Sequence, residues 1–190
     1  MKYLLLLIPL IFSGYTKNSS AHLSQQDVAQ EDTIFWKADS KLVWDDFKGP
    51  APETGFKVAA TYSGFSFTFH SDENNFRLKT FVYFIRSRSW TRTAADNVLL
   101  HEQGHFNLTE ISARKFWKII KAKHLDQVKN SEAKKKYAQI KEIYHTITAE
   151  LSEIQDKYDN ETKHSTIQEK QDLWNERIQK QLTELEDYSQ

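Results

Sequence analysis

The periodicity of the chain changes at Thr93, and this limits the fold more than any other feature. Before it, aromatic and β-branched residues alternate with polar ones. After it, apolar residues recur every three or four positions, proline is absent and Gly104 is the only glycine. Strands first and helices afterwards is the order of an α+β chain. The expectation is a small antiparallel N-terminal sheet packed on one long helix, with two further long helices behind it.

In the first half, Phe65, Phe67 and Phe69 alternate with Ser66 and Thr68, the period of a half-buried strand within 56–70. The alternation is out of phase before Gly64, which predicts a bulge or bend there. A turn over 71–75 leads to a second strand over 76–85, wholly apolar from Phe81 to Ile85 and so expected to be covered on both faces. Upstream, Phe35, Trp36, Trp44 and Phe47 are costly to leave in water, so segment 34–48 is expected to dock on the core. In the second half, Thr93 or Asp96 is placed to cap a helix running to about Lys123, with Leu99, Leu100, Phe106 and Phe116 on its buried side. A second helix is expected over 131–157, where Ile140, Tyr144, Ile147 and Leu151 recur at helical spacing. Residues 158–165 interrupt the pattern, and a third helix follows over 166–186, with Leu173 and Trp174 inward.

Residues 1–21 open with Lys2, an apolar run from Tyr3 to Phe12 and then small residues, which is the layout of a signal peptide. The run is shorter than the roughly 20 apolar residues a membrane span needs. Polar, aperiodic 22–33 reads as a linker, leaving 34–186 as one domain with enough length for an apolar core. Cysteine is absent, which excludes disulfides, thiolate metal sites and a thiol nucleophile. Without the leader the chain keeps 24 basic against 26 acidic residues. That balance, with no basic patch interleaved by aromatics, argues against a nucleic-acid partner. Lys134-Lys135-Lys136 reads as a solvated helix face.

The chemistry concentrates in His101-Glu102-Gln103-Gly104-His105. Histidines four apart on a helix share one face, so both imidazoles can reach a single Zn²⁺. In zinc hydrolases of this pattern the intervening glutamate does not bind metal but takes a proton from water, which makes Glu102 the candidate general base. The helix is thus of the zincin type. Gly104 removes a side chain where a neighbouring element would come close. A third donor is required. The position six residues beyond His105 is Ile111, which cannot ligate, so a metzincin site is excluded. Glu110 lies about half a turn away around the helix and is expected to pair with Arg114 instead. His124, His145, Glu150, Asp159, Glu161 and His164 remain open, with His124 about 28 Å along the helix from His105. His164 stands out because it falls where the helical pattern breaks.

Four stretches resemble one known family. They are Leu42-Val43-Trp44-Asp45-Asp46-Phe47-Lys48-Gly49, Ser89-Trp90, the zinc motif with Glu110 and Ala113-Arg114, and Tyr158-Asp159-x-x-Thr162-x-His164-Ser165 followed by Gln168, Gln171 and Trp174. Together they span about 36–180 and resemble the bacterial DUF922 family, described as predicted secreted zinc-dependent proteases. Ser165 departs from the glycine usual at the end of the fourth stretch. The resemblance implies His101, His105 and His164 as zinc ligands and Glu102 as general base. It leaves Asp159 and Thr162 as groups that orient a ligand or its loop, and the tryptophans as core.

The functional expectation is an exported zinc metallopeptidase acting on a peptide or protein, with an exposed strand of 56–85 to align an extended substrate. Two alternatives stay open: an exported zinc-binding scaffold or partner-binding domain with little turnover, and a zinc amidase acting on cell-wall peptides.

Overall fold

The computed structural model describes residues 32–71 and 75–190. The expected leader (1–21), nearly all of the linker (22–33) and the tip of the turn at 71–75 fall outside these residues. The elements run in the order β1 (Thr33–Phe35), β2 (Ala59–Ala60), β3 (Ser63–Ser71), β4 (Asn75–Ile85), β5 (Trp90–Thr91), α1 (Asp96–Ala122), β6 (Gln127–Lys129), α2 (Ala133–Thr162) and α3 (Gln168–Glu184). The fold is α+β, with antiparallel sheets in the first half and three helices after them, two of them long. Among the described residues no helix is long and apolar enough to cross a membrane.

β4 is the spine of the main sheet. β3 pairs along one edge, from Ser63↔Phe84 to Ser71↔Phe76. β1 and β6 share the other edge, with Ile34 opposite Phe84 and Val128 opposite Phe76. Cross-strand partners point to one face, so Phe65, Phe67, Val82 and Phe84 form a single apolar surface. The helices close over it. Phe116 of α1 lies 5.7 Å from Phe65 and 5.6 Å from Phe67, Tyr144 of α2 lies 5.1 Å from Phe65, and Phe106 of α1 lies 5.9 Å from Phe84. Burying each such ring stabilises by roughly 1.5–3 kcal/mol relative to leaving it exposed. From Val82 to Ile85 both faces of β4 are buried, as the unbroken apolar run predicts.

Several boundaries differ from the sequence reading. β3 runs through Gly64 in regular register, opposite Tyr83, so there is no bulge. The phase break instead marks the gap between β2 and β3, where the Ile85 N–H is taken by the Tyr62 carbonyl at 2.9 Å. Neither Thr93 nor Asp96 caps α1. Ala95 holds the cap position without a side-chain bond, the Thr93 hydroxyl accepts from the Ala95 N–H at 3.2 Å, and Asp96 lies in the first turn. α2 continues five residues past its expected end, because Tyr158 and Thr162 are buried against α1 and extend the inner seam of the helix. Leu100 and Leu173, expected inward, are exposed.

Segment 34–48 docks as expected, except that Phe35 remains 45 % exposed. Leu42 and Phe47 are buried, and Phe47 stacks edge-on against Phe84 at 5.2 Å. The segment is fastened to α1 by the Gln103 carbonyl oxygen, which accepts from the Leu42 N–H at 2.8 Å, and by Asn107, which accepts from the Trp36 indole at 3.0 Å. Residues 103 and 107 therefore serve the N-terminal segment, and positions 101 and 105 turn toward α2 and α3.

Candidate metal centre

α1, the end of α2 and the turn that follows α2 build the site. On α1, His101 and His105 stand one turn apart with ring centroids 4.8 Å apart. On α2, Gln155, Asp159 and Thr162 continue the spacing of the inner seam, so this end of the seam meets α1 with polar side chains. The Nε2 atoms of His101 and His105 lie 3.2 Å apart, and each faces Asp159 Oδ1, at 3.0 and 2.8 Å respectively. The other oxygen of Asp159 takes an ion pair from Lys57 at 3.0 Å and a contact from His164 Nδ1 at 3.2 Å. One ligand atom from each of His101, Asp159 and His164 lies within 4.8 Å of the others, an arrangement able to hold a metal ion.

The donor spacing fits a small tetrahedral ion. Metal–nitrogen bonds of about 2.0 Å require ligand atoms roughly 3.3 Å apart, close to the separations around Asp159 Oδ1. A second observation points to the same centre. Glu102 is only 4 % exposed, and its Oε2 is buried with no hydrogen-bond partner in the protein. An orphaned carboxylate oxygen of that kind is expensive unless a water or ion at the site completes it. The group opens on a cavity of about 360 Å³ lined by Lys57, Ala60, Tyr62, Glu102, His105 and Asp159 among others.

Charge follows from this packing. Burial disfavours the carboxylate of Asp159, but hydrogen bonds from His101 and His105 and the nearby cations outweigh it and hold the group far below the usual carboxylate range. Burial by itself lowers His105, yet its hydrogen bond to Asp159 and the charges of Asp159 and Glu102 raise it overall. His164 is lowered, chiefly by burial.

Tyr158 and Gln171 wedge the site from behind. Tyr158 is wholly buried, its hydroxyl donates to the His101 carbonyl at 3.2 Å and accepts from Gln171 Nε2 at 2.6 Å, and it is therefore structural. Gly104 is the glycine this contact needs, since a Cβ there would stand 2.3 Å from the Tyr158 hydroxyl oxygen. Lys163, His164 and Ser165 follow α2 with φ of 48°, 52° and 71°, three left-handed residues in a row. This turn puts His164 beside Asp159 and against the exposed Phe56, at a ring separation of 5.6 Å.

The structure thus brings His101, Glu102, His105, Asp159 and His164 to one cavity. It leaves His124, His145 and Glu150 exposed elsewhere, and Glu161 accepts from the Trp174 indole at 2.9 Å. Glu110 is buried and pairs with Arg114 at 2.7 Å, as its spacing predicts. Trp174 is core, whereas Trp90 is half-buried and lines the cavity. Sequence reasoning left Asp159 among several candidates and overlooked Gln155. The usable signal was a polar residue on a buried helical row: 151, 155 and 158 continue the spacing of 140, 144 and 147.

Above the site, β2 is paired only with β5 among the described residues. The Arg92 N–H is accepted by the Val58 carbonyl at 2.7 Å, and Ala59 lies opposite Thr91. In an antiparallel ladder hydrogen-bonded pairs alternate, so the main-chain groups of Ala59 point to the other edge. The Thr61 hydroxyl donates to the Glu102 carbonyl at 3.2 Å and ties this segment to α1 at the motif itself. Compared with protein-family models, characterised proteins and solved structures, the chain matches none of them.

Proposed function

We propose that the protein is an exported zinc-dependent peptidase. The observation that carries this is the convergence of His101 Nε2, His105 Nε2 and Asp159 Oδ1 within 2.8–3.2 Å beside a buried, unpartnered Glu102 oxygen, at the floor of an open cavity. Two imidazoles and a carboxylate are the donors of a catalytic rather than a closed zinc site. When bound, zinc polarises an acyl oxygen and makes water more acidic. In this reading Glu102 takes a proton from water and returns it to the leaving amine. The free edge of β2 suits an extended peptide laid across the cavity by strand addition. Export rests on the apolar N-terminal run.

A closed, non-catalytic zinc site is the second reading. It is favoured by His164, whose Nδ1 stands 3.2 Å from Asp159 Oδ2 and could complete a set of four protein donors. The same two-histidine, one-carboxylate set also suits non-haem iron, so identifying the metal comes first. Elemental analysis of purified protein is expected to find about one zinc per chain. Glu102→Gln is expected to keep that zinc and lose about 10²–10⁴-fold of peptide hydrolysis. A wild type that holds zinc but hydrolyses no peptide in a diverse library would favour the closed site.

A further inference from the structure

We propose that Gln155 and Gln171 are positioning residues that hold a proton on Nδ1 of His105 and His101, so that Nε2 is the atom each ring presents to the shared centre, toward Asp159 in the metal-free protein and toward an ion when one is bound. The proposal deepens the metal-binding reading and, for its consequence on affinity, rests on it.

The argument begins at the ring nitrogens facing away from the centre. His101 Nδ1 lies 3.0 Å from Gln171 Oε1, and His105 Nδ1 contacts Gln155 Oε1. An amide oxygen can only accept, so each Nδ1 must be the donor. What matters is whether either amide could be turned the other way round. Gln171 is wholly buried, and its Nε2 donates both to the Tyr158 hydroxyl at 2.6 Å and to Asn175 Oδ1 at 2.9 Å. The proton of the Tyr158 hydroxyl is already given to the His101 carbonyl, so toward Gln171 it can only accept. Flipping the amide would leave the tyrosine without its donor and would require the Asn175 amide to turn as well. Thr162 gives its hydroxyl proton to the Tyr158 carbonyl at 2.7 Å, and it too can only accept from His101 Nδ1, 3.5 Å away.

His105 is fixed in the same manner from α2. Gln155 Nε2 faces Thr109 Oγ1 at 3.5 Å. The Thr109 hydroxyl donates to the His105 carbonyl at 3.0 Å, which leaves its oxygen to accept from Gln155 and from Ser63 at 2.8 Å. Each direction of donation therefore follows from the next one out, ending in the backbone of α1. Every hydrogen bond behind the two rings then agrees on Nδ1–H. The consequence is that two neutral amides, one on α2 and one on α3, aim both Nε2 atoms at Asp159 Oδ1, where a proton or an ion is needed to join nitrogen to oxygen. Outer partners of metal-binding histidines are typically worth 10–100-fold in metal affinity.

The test uses the full chain labelled with ¹⁵N at histidine, metal-free and titrated with Zn²⁺, together with zinc competition against a chromophoric chelator. Expected in the wild type are slowly exchanging Nδ1–H protons on both rings and zinc on both Nε2 atoms. Gln171→Leu should lose the protected Nδ1–H of His101 and about 10–100-fold of zinc affinity, and Gln155→Leu should do the same at His105. Gln171→Glu keeps an accepting oxygen and is expected to restore both readouts, which guards against a leucine variant that merely packs badly. Zinc on Nδ1 of either ring, or leucine variants with unchanged affinity and protected protons, would overturn the proposal. A wild type that binds no zinc but shows both protected Nδ1–H protons would uphold the protonation pattern and overturn the metal reading instead.

Discussion

Tyr158 lies nearly flat on His101, with ring centroids 4.4 Å apart and planes inclined by 19°. That stacking exists because Gly104, one residue before the second histidine, leaves room for the tyrosine. Gly104→Ala should therefore act on the metal centre as well as on stability. Overpacking costs typically 1–3 kcal/mol, against a gain of about 1 kcal/mol in helix propensity. The expected outcome is a net loss in urea denaturation together with weaker zinc binding. Pairing it with Tyr158→Leu should cost less than the sum of the two single changes, as expected for residues in contact. Additive effects would show that the contact is not the cause.

On the proposed metal-binding reading, Asp159 and His164 are the two candidates for third donor, and two substitutions separate them. Asp159→Ala is expected to abolish tight zinc binding, because its Oδ1 faces both imidazoles. His164→Ala is expected to weaken binding by a smaller factor, since its Nδ1 faces the second Asp159 oxygen. Chelator competition ranks the two directly. The reverse ranking would make His164 the ligand and Asp159 its orienting partner.

Ser165 holds φ of 71°, a conformation that costs an L-residue roughly 1–2 kcal/mol and glycine almost nothing. Its hydroxyl makes a long contact, 3.5 Å from Asn97 Nδ2. After the entropy that glycine adds to the unfolded chain, Ser165→Gly is expected to stabilise by about 0.5–1 kcal/mol in urea denaturation. A destabilised variant would mean that the Asn97 contact outweighs the backbone strain.

In metal-free protein the raised pKa of His105 sets a pH dependence. A raised histidine contributes stability that is complete below its unfolded value of about 6.5 and is lost as pH rises through the higher folded value. Asp159 is a cause of that rise and also pulls His164 upward against the larger effect of burial. With chelator present, wild type should lose stability relative to Asp159→Asn as pH goes from about 6 to 8. A gap between the two urea midpoints that stays constant over that range would remove Asp159 as the cause.

The sheet and the first helix were legible because their signals are long. Phe65, Phe67 and Phe69 alternate over a nine-residue strand, and α1 carries its helical period through 27 residues. β2 and β5 have two residues each and β6 three, too few to show any period. The end of α2 misled for a different reason. Gln155, Asp159 and Thr162 hold inner positions of the helix, but as polar residues they erase the apolar rhythm and look like a turn. Burial against α1 decided the outcome there, overriding local pattern. His101, Glu102 and His105 were legible because four-residue spacing on a helix is geometry that needs no tertiary context. Asp159 and the two glutamines depend on how three helices meet, which local spacing does not encode.

The partners that complete the two histidines arrive late in the chain. His101 and His105 are followed 54 to 58 residues later by Asp159, and His101 meets Gln171 only after 70. A polypeptide synthesised N-terminus first displays the two imidazoles well before their counterparts have appeared. During that interval it offers an incoming ion half a cage. If the centre takes a metal as proposed, ion capture is then the closing act of folding and waits until the last helix has settled.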